Sequence, residues 1–465
     1  MLRVFRQYYP VRNIFFVVGE GLFIFLSFFL ASLILLGSES FVFDLWLFLK
    51  ILFVTGVCQA SLYYNDLYDL KITDSFKELG IRLLQALGIA AIVLAFVFVI
   101  FPQANIGRGI FVVSIGFIIV LVLSWRYCYS LVLTHGIFDQ KIILLGSGEL
   151  AKNIKDEINS KKDCGYTLSV MVPECANDID FTEQNNPAVI CKKNYEGLCE
   201  LAKALGIQKI VVGFREKRHA FPTKELLKCR VEGIDVVDGN SFYEMLTGKL
   251  RVEDINPSWL IFSDGFQKSG MRRFLKRSID LILSFLLLLS LSPVILLTTV
   301  LIKIDSKGSV FFSQERVGEK GRIYRIHKFR SMVADAEKIS GPVWAQDNDG
   351  RVTRVGRIIR RLRIDEIPQL WNVLKGEMSF VGPRPEREFF VRQLEEKIPY
   401  YGERCSVKPG ITGWAQVSYG YGASVEDAIE KLNYDLFYIK NMTTFMDLMI
   451  VLRTIKIVLF GKGVR

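Results

Sequence analysis

Four long apolar segments near the amino terminus limit what this chain can fold into. They occupy residues 14–36, 41–62, 81–101 and 110–133. Each reaches the roughly 20 residues that a helix needs to cross a bilayer core of about 30 Å. Few charged residues interrupt them, among them Glu20 in the first segment. Residues 1–138 are therefore predicted to form a four-helix transmembrane region.

Basic residues in the short connecting loops predict the orientation of these spans. Five of them precede the first span or separate the second from the third: Arg3, Arg6, Arg12, Lys71 and Lys77. The loop 102–109 holds only Arg108. Because loops rich in Lys and Arg stay on the cytoplasmic side, the amino terminus and all residues after about 134 are expected to face the cytoplasm.

The composition agrees with a basic membrane protein of several domains. Hydrophobic residues make up 51% of the 465 residues, and 59 Lys and Arg against 48 Asp and Glu give a net charge of +11. This excludes a disordered or fibrous chain and suits an anionic leaflet. The eight cysteines show no metal-binding spacing, which favours reduced thiols.

A pattern of alternating strands and helices follows the spans. A buried strand at 141–145 runs into Gly146-Ser147-Gly148 and a helical segment, and further strands are predicted at 166–172, 209–212 and 234–237. This order is typical of a Rossmann-like α/β domain, here assigned to residues 139–262, in which Gly146 and Gly148 would approach a nucleotide. The acidic ribose partner is not clearly placed, Glu174 being a late candidate. A structural or regulatory domain without cofactor chemistry is the favoured interpretation, and a domain that binds a nucleotide or phosphate ligand is the alternative.

A fifth apolar run spans residues 281–302 and has a Ser292-Pro293 break in its middle. Four basic residues precede it and two follow: Arg272, Arg273, Arg277, Lys276, Lys303 and Lys307. Because proline interrupts a helix and basic residues hold both ends on one side, a re-entrant hairpin over 279–302 is predicted. The alternative is a fifth crossing. The hairpin opens a mainly α-helical domain at residues 263–465, which holds the residues with the clearest chemistry.

Two adjacent carboxylates, Asp365 and Glu366, lie in a stretch dense in arginine that includes Arg360 and Arg361. Nearby positive charge favours the ionised form, so both acids are expected to have a low pKa and to serve as Mg²⁺ ligands or as a nucleophile toward phosphorus. The alternative is a pair of surface acids that neutralise Arg360 and Arg361.

Two loops shaped by Pro and Gly follow. Arg384 stands between Pro383 and Pro385, which hold the backbone extended, and a rigidly presented guanidinium suits phosphate binding. The alternative is a structural arginine in a turn. The second loop carries Trp414, which is expected at the membrane interface or beside a sugar or base.

Taken together, these motifs resemble the bacterial sugar transferases, the monotopic polyprenyl-phosphate glycosyl-1-phosphate transferases of the large type that initiates exopolysaccharide or O-antigen assembly. The resemblance covers about residues 270–465, with motifs in family order: Lys276-Arg277-Ser278-Ile279-Asp280, Ser292-Pro293, Lys328-Phe329-Arg330-Ser331-Met332, Asp365-Glu366-Ile367-Pro368-Gln369, Gly382-Pro383-Arg384-Pro385 and Lys408-Pro409-Gly410-Ile411-Thr412-Gly413-Trp414-Ala415-Gln416.

The resemblance implies transfer of a hexose-1-phosphate from a UDP-sugar to undecaprenyl phosphate at the cytoplasmic face of the inner membrane, with release of UMP. It implies that Asp365 attacks phosphorus to give a phosphosugar–aspartyl intermediate and that a homodimer forms. The residues are consistent with Mg²⁺ held by Asp365 and Glu366, and the role of Glu366 as metal ligand or as proton handler stays open. The phosphate ligands are expected to be Arg384, Arg360, Lys328 and Arg330.

Two rival functions stay open on the residues alone. One is an NAD-dependent sugar-nucleotide dehydratase or epimerase that uses the glycine turn. The other is a non-enzymatic membrane scaffold or lipid transporter. Nucleic acid is not expected as a partner because the basic stretch lacks interleaved aromatic residues. The carboxyl-terminal segment 445–459 is predicted either to lie in the membrane interface or to be an ordinary core helix.

Overall fold

A computed structural model of the chain describes residues 2–4, 7–9, 11–37, 44–68, 76–107, 109–134, 139–161, 164–173, 188–189, 195, 197–214, 221–254, 265–266, 269–333, 350–420, 422 and 424–460. Apart from a few residues at the amino terminus, these fall into two compact units, one within residues 8–237 and the other within residues 238–465. The domain limits at residues 138 and 262 stay predictions.

The first unit begins with four helices, preceded by two short strands, β1 (Leu2–Val4) and β2 (Gln7–Tyr9). The helices are α1 (Val11–Leu36), α2 (Leu45–Tyr64), α3 (Phe76–Ile100) and α4 (Ile110–Thr134). All four are long and apolar enough to cross a membrane, as the hydropathy predicts. Three of the basic residues used to orient them, Arg6, Lys71 and Arg108, lie outside the described residues.

A buried ion pair joins the first and fourth helices. Glu20 of α1 is fully buried and lies 2.7 Å from Arg126 of α4. Arg126 also donates to the backbone carbonyl of Leu67 at 2.8 Å and lies 5.2 Å from the ring centroid of Phe16. Since charges inside an apolar bundle are tolerated when they are paired, Glu20 has a packing role in its apolar segment.

A five-stranded sheet follows the helices. Its strands are β3 (Gln140–Leu145), β4 (Tyr166–Val172), β5 (Ala188–Val189), β6 (Lys209–Val212) and β7 (Asp235–Asp238). Their order across the sheet is β5-β4-β3-β6-β7, and β3 pairs in parallel with both β4 and β6. Three helices alternate with the strands: α5 (Glu149–Ser160), α6 (Leu198–Ala204) and α7 (Thr223–Val231). The four predicted strands are present, each within one residue at either end.

The glycine turn after β3 has a packing explanation. Gly146 has a φ of +116°, and a Cβ added there would lie 2.9 Å from the carbonyl oxygen of Gly213. Gly148 caps α5, whose first residue is Glu149, an acid that disfavours an anion at a helix amino terminus. Nucleotide binding by Gly146 and Gly148 stays a prediction, and Glu174 lies outside the described residues.

The second unit combines nine helices with two small sheets among its described residues. The helices are α8 (Gly239–Thr247), α9 (Gly270–Ser290), α10 (Ser292–Asp305), α11 (Arg354–Arg361), α12 (Gln369–Lys375), α13 (Glu388–Lys397), α14 (Trp414–Ser418), α15 (Val425–Asn441) and α16 (Thr444–Phe460). Strands β8 (Phe311–Val317) and β9 (Ile323–Phe329) form an antiparallel hairpin, and β10 (Ser379–Val381) pairs in parallel with β11 (Gly410–Thr412).

The helices α9 and α10 meet at the predicted break and bend by 60°. Pro293 lies in the first turn of α10, where its missing N–H is not needed. Ser292 Oγ donates to the carbonyl of Leu289 at 2.8 Å, as expected for a hydroxyl that satisfies a carbonyl freed by the break. Large apolar side chains on both helices are exposed, including Phe285 and Leu297 at 60% each.

The core of this unit gathers around α15 and α16, and it corrects one prediction. Trp414 is not at a surface: it is buried, donates to the carbonyl of Gly248 at 2.7 Å and stacks near Phe437. On α16, Met446 and Ile450 are fully buried in the same core, whereas Leu448 on that helix is 54% exposed. The carboxyl-terminal helix therefore has one core face, as the core-helix alternative predicts.

Candidate active site

The acid pair lies in a short 3₁₀ turn, Ile364–Glu366, directly after α11. The helix begins at a Thr353 cap, whose Oγ1 accepts the N–H of Gly356 at 2.9 Å. The chain then turns sharply at Arg363, which adopts a left-handed conformation with φ of +56°. Such a backbone is strained for a residue with a Cβ, and strain of this kind is typical of functional sites. Both acids are only 8% exposed.

Three positively charged side chains surround one carboxylate oxygen of Glu366. Its Oε1 lies 3.1 Å from Lys328 Nζ, 3.0 Å from Arg384 Nη2 and 3.8 Å from Arg363 Nη1. Burial opposes ionisation, but the charges of Lys328, Arg384 and Arg363 outweigh it and hold the pKa of Glu366 well below its usual range. Two of the predicted phosphate ligands, Lys328 and Arg384, are thus brought to the acid pair.

Asp365 differs from its neighbour. Burial, and next the charge of Glu366, raise its pKa from 3.8 to about 6, although Lys328, Arg363 and Arg360 act in the opposite direction. The expectation that both acids have a low pKa is therefore wrong for Asp365, because sequence shows neighbouring charges but not desolvation. Asp365 Oδ1 is buried and has no hydrogen-bond partner among the described residues. The other prediction, a pair of surface acids, is also wrong, since both are buried.

Strand β9 presents Lys328 to the acid pair. Tyr324, Ile326 and Phe329 on this strand are buried, and its backbone is fastened to α12 through one side chain. Asn372 Oδ1 accepts the N–H of His327 at 3.0 Å, and Asn372 Nδ2 donates to the carbonyl of Arg325 at 2.7 Å. Since α12 begins just beyond the acid pair, this link joins the strand that carries Lys328 to the segment that follows Glu366.

The loop that carries Arg384 is built on a close backbone approach. Gly382 N donates to Thr412 O, and Gly410 N donates to Pro383 O, both at 2.9 Å. A Cβ added to Gly410 would collide with the backbone of Gly382, so glycine is needed there for packing. Arg384, in a loop that extends from β10, then reaches Glu366.

The other predicted residues are placed differently. Arg330 donates to the carbonyls of Ser306 and Lys307, both at 2.8 Å, and so ties β9 to the end of α10. Arg360 lies in the last turn of α11, and its charge lowers the pKa of Asp365. Ser292 lies at the helix break described above. Among the predicted phosphate ligands, all of which the structure describes, Lys328 and Arg384 contact the acid pair directly.

Two residues of α9 connect it to the site through contacts that the sequence did not predict, although both belong to one of the motifs quoted above. Arg277 donates to the last carbonyls of α12, Val373 and Leu374, at 2.6 and 2.8 Å. Asp280 accepts the Ser379 hydroxyl at 2.8 Å and the Phe380 N–H at 3.0 Å, in β10. The available signal was helical spacing: the polar residues at 276, 277, 280 and 284 share one face of an otherwise apolar helix.

The donor set of the site fits a magnesium ion. No group of three His, Cys, Asp or Glu side chains that could hold a metal ion occurs in the described part of the chain. The acid pair supplies two carboxylates, and Asp365 Oδ1 is buried with no hydrogen-bond partner in the described part of the chain. Mg²⁺ is commonly bound by one or two carboxylates together with substrate phosphates, and Asp365 and Glu366 match that arrangement.

Comparison with known proteins places the chain in a family. The family described as bacterial sugar transferase matches residues 271–461. An undecaprenyl-phosphate galactose phosphotransferase of Salmonella typhimurium is 30% identical over 381 residues, which are 78% of this chain and 77% of the relative. The chain belongs to the bacterial sugar transferase family.

Two further relatives match over part of their length. A UDP-N-acetylgalactosamine-undecaprenyl-phosphate N-acetylgalactosaminephosphotransferase of Aeromonas hydrophila is 44% identical over 240 residues, which are 52% of this chain and 56% of the relative. An undecaprenyl-phosphate glucose phosphotransferase of Komagataeibacter xylinus is 44% identical over 332 residues, which are 70% of this chain and 60% of the relative. The chain thus spans less than two thirds of the length of these two relatives.

Proposed function

We propose that this protein transfers a hexose-1-phosphate from a UDP-sugar to undecaprenyl phosphate and releases UMP, as a first step in assembling an exopolysaccharide or O-antigen type glycan. The observation that carries the proposal is the buried Oδ1 of Asp365, which has no hydrogen-bond partner among the described residues. It lies beside Glu366, whose Oε1 binds Lys328 and Arg384. The relatives' names support the reaction class. Their names include N-acetylgalactosamine, glucose and galactose, so the sugar is left to experiment.

The proposed reaction has two displacements at one phosphorus atom. A carboxylate oxygen of Asp365 attacks the sugar-proximal phosphorus, the bond from that phosphorus to the bridging oxygen breaks, and UMP leaves with the bridging oxygen. An oxygen of the lipid phosphate then attacks the same phosphorus, the bond to Asp365 breaks, and the carboxylate is restored. The products are UMP and an undecaprenyl diphosphate sugar, so atoms and charge balance without a redox partner.

The cations around the acid pair would stabilise these displacements. Arg384 and Lys328 already lie at 3.0 and 3.1 Å from Glu366 and are close enough to exchange it for the donor phosphates. Positioning and electrostatic stabilisation supply most of what phosphoryl transfer needs. Asp365 and Glu366 are the residues that would hold Mg²⁺, which when bound neutralises diphosphate charge.

The raised pKa of Asp365 suits its proposed role. A carboxylate that is stabilised by several hydrogen bonds is a weak nucleophile, whereas Asp365 Oδ1 has none within the described residues. Glu366 keeps its charge because cations surround it. We assign nucleophilic attack to Asp365 and the holding of cations to Glu366.

The hairpin α9–α10 is proposed to enter and leave the cytoplasmic leaflet of the inner membrane. Its 60° bend and its exposed apolar side chains support this, and its contacts through Arg277 and Asp280 would hold the acid pair at the bilayer surface, where lipid and nucleotide substrates meet. The first unit is proposed to anchor the protein through four spans and to carry a Rossmann-like domain, an assignment supported by its strand order.

Measuring UMP release from a panel of UDP-hexoses with undecaprenyl phosphate tests the reaction. The wild type is expected to release UMP with at least one donor, and Asp365→Asn to lower that rate at least a thousandfold. Glu388→Gln, at a 44% exposed side chain on α13, is the control and should leave the rate unchanged. Near-normal turnover by the Asn variant would overturn the nucleophile assignment, and no release with any donor would overturn the reaction.

Fusions of green fluorescent protein test the hairpin, since this reporter fluoresces when it stays in the cytoplasm. Fusions after residues 254 and 308, on either side of the hairpin, are both expected to fluoresce in living cells. A fluorescent fusion at 254 with a dark, stably expressed fusion at 308 would show a crossing and would overturn the re-entrant assignment.

A further inference from the structure

The backbone of the Arg384 loop is fixed at four successive positions. The carbonyl oxygens of residues 383–386 each accept one hydrogen bond. Their donors, in order, are Gly410 N (2.9 Å), Arg404 Nη2 (2.9 Å), Arg316 Nη1 (3.3 Å) and Val317 N (3.0 Å). The carbonyl of Arg384 accepts its hydrogen bond from the side chain of Arg404, 20 positions further along the chain. Arg404 therefore holds the backbone of the residue whose side chain contacts Glu366.

The side chain of Arg404 is itself fixed by two further hydrogen bonds. Its Nη2 donates to Asp435 Oδ2 of α15 at 3.0 Å, and its Nη1 donates to the Tyr401 hydroxyl at 2.7 Å. Arg404 is 8% exposed and Asp435 2% exposed. Burying such a pair is costly, and well-packed apolar residues commonly stabilise a fold as well or better. Stability alone therefore does not explain why a charged pair stands behind the loop.

The geometry of Arg384 shows what the pair can contribute. The Arg384 side chain is 40% exposed, although its Nη2 lies 3.0 Å from Glu366. Because the side chain is partly exposed, the backbone from which it extends contributes to the direction of the guanidinium. A misplacement of about 1 Å in a group that positions a substrate can lower a rate a hundredfold.

We propose that Arg404, held in place by Asp435, is a positioning residue that fixes the Arg384 carbonyl and so aims the Arg384 guanidinium at the phosphates of the donor. This inference rests on the proposed function. Arg404 does not contact the acid pair in the described structure; its effect passes through the backbone of Arg384.

Arg404→Lys tests the inference because it keeps a positive charge for Asp435 but removes the planar fork that reaches three acceptors at once. The value of kcat/KM for the UDP-sugar is expected to fall about tenfold, mainly through KM. Arg392→Lys is the matched control, since Arg392 is a surface arginine with a 74% exposed side chain. The control should change kcat/KM less than twofold.

A double-mutant cycle separates positioning from general damage. In an Arg384→Ala background, Arg404→Lys is expected to cost less than twofold, because the side chain it would aim is absent. Wild type, the two single variants and the double variant are also titrated with UDP. The dissociation constants for UDP then replace kcat/KM in the cycle if the turnover of the double variant is too low to measure. An undiminished tenfold cost in the Arg384→Ala background would overturn the inference, since damage to the fold would act equally in both.

Two further measurements keep the outcomes distinct. If Arg404→Lys does not fold, judged by its melting temperature, Asp435→Asn takes its place in the cycle, with an expected threefold cost that disappears in the Arg384→Ala background. If the wild type releases no UMP, the proposed function fails and the inference falls with it. If the wild type is active and Asp365→Asn is not, but the cycle is additive, the inference alone is wrong.

Discussion

Two buried aspartates of the second unit show how differently one chemical group can be used. Asp365 is 8% exposed and Asp435 2%, and burial raises the pKa of each to about 6. The carboxylate of Asp435 forms a buried ion pair with Arg404, with 3.0 Å between Asp435 Oδ2 and Arg404 Nη2. Asp365 keeps a buried oxygen without a hydrogen-bond partner among the described residues. The first holds a loop, and the second is left available to react.

Replacing Asp435, the aspartate paired with Arg404, should lower the stability more than any other change proposed. Asp435→Ala leaves the buried guanidinium of Arg404 without its counter-charge, and breaking a buried pair in this way costs about 3–5 kcal/mol. We expect a marked fall in the melting temperature of the detergent-solubilised protein.

The matched control for Asp435→Ala replaces both partners, as Arg404→Met with Asp435→Leu. Because no buried charge is then left unpaired, most of the lost stability should return. A double variant as unstable as Asp435→Ala would show that the pair is not the source of the effect.

Neutralising Glu366 should have the next largest effect, on activity. Glu366→Gln removes the charge that holds Lys328 and Arg384 beside Asp365, and loss of one preorganised electrostatic contact costs about 10²–10³ in rate. We expect kcat/KM for the UDP-sugar to fall at least a hundredfold, as measured by UMP release, while Glu388→Gln remains normal. A fall in kcat/KM of less than threefold would show that Glu366 is not the group that holds Lys328 and Arg384 in place.

Removing the charge of Asp365 should make the protein more stable. The folded pKa of Asp365 is about 6 and its ordinary value is 3.8, so the folded state binds its proton more tightly than the unfolded state. The stability that this proton provides is complete below about pH 4 and is lost as the pH rises through 6. Well above pH 6 the ionised wild type therefore carries a cost on the order of 3 kcal/mol.

Melting curves of wild type and Asp365→Asn in EDTA measure this difference. At pH 8 the Asn variant is expected to melt at the higher temperature, and its advantage should shrink as the pH is lowered from 8 to 4. An Asn variant that is less stable than wild type at pH 8 would contradict the desolvation of Asp365.

Local sequence patterns predicted much of this molecule because they reflect local physics. The four apolar helices follow from hydropathy, and the strands at 166–172 and 209–212 have the predicted bounds. Ser292-Pro293 marks the helix break because proline excludes a continuous helix. The motifs that lie in order along the chain include Lys328 and Arg384, which the structure places beside Glu366.

The failures concern contacts between distant residues. Trp414 is buried because its indole reaches the carbonyl of Gly248, 166 positions away. The pKa of Asp365 depends on burial by elements that sequence does not place. Arg404 and Asp435 are 31 positions apart in segments with no shared motif, so nothing in the sequence pairs them.

The central claim is that Asp365 reacts and Asp435 does not. The most direct test is the mass of the intact protein after incubation with a UDP-sugar in the absence of lipid acceptor, followed by peptide mapping. We predict a mass increase of one hexose phosphate, located on the peptide that contains Asp365 and absent from Asp365→Asn. Rapid UMP release without any adduct on wild type, or an adduct that persists in Asp365→Asn, would contradict the claim.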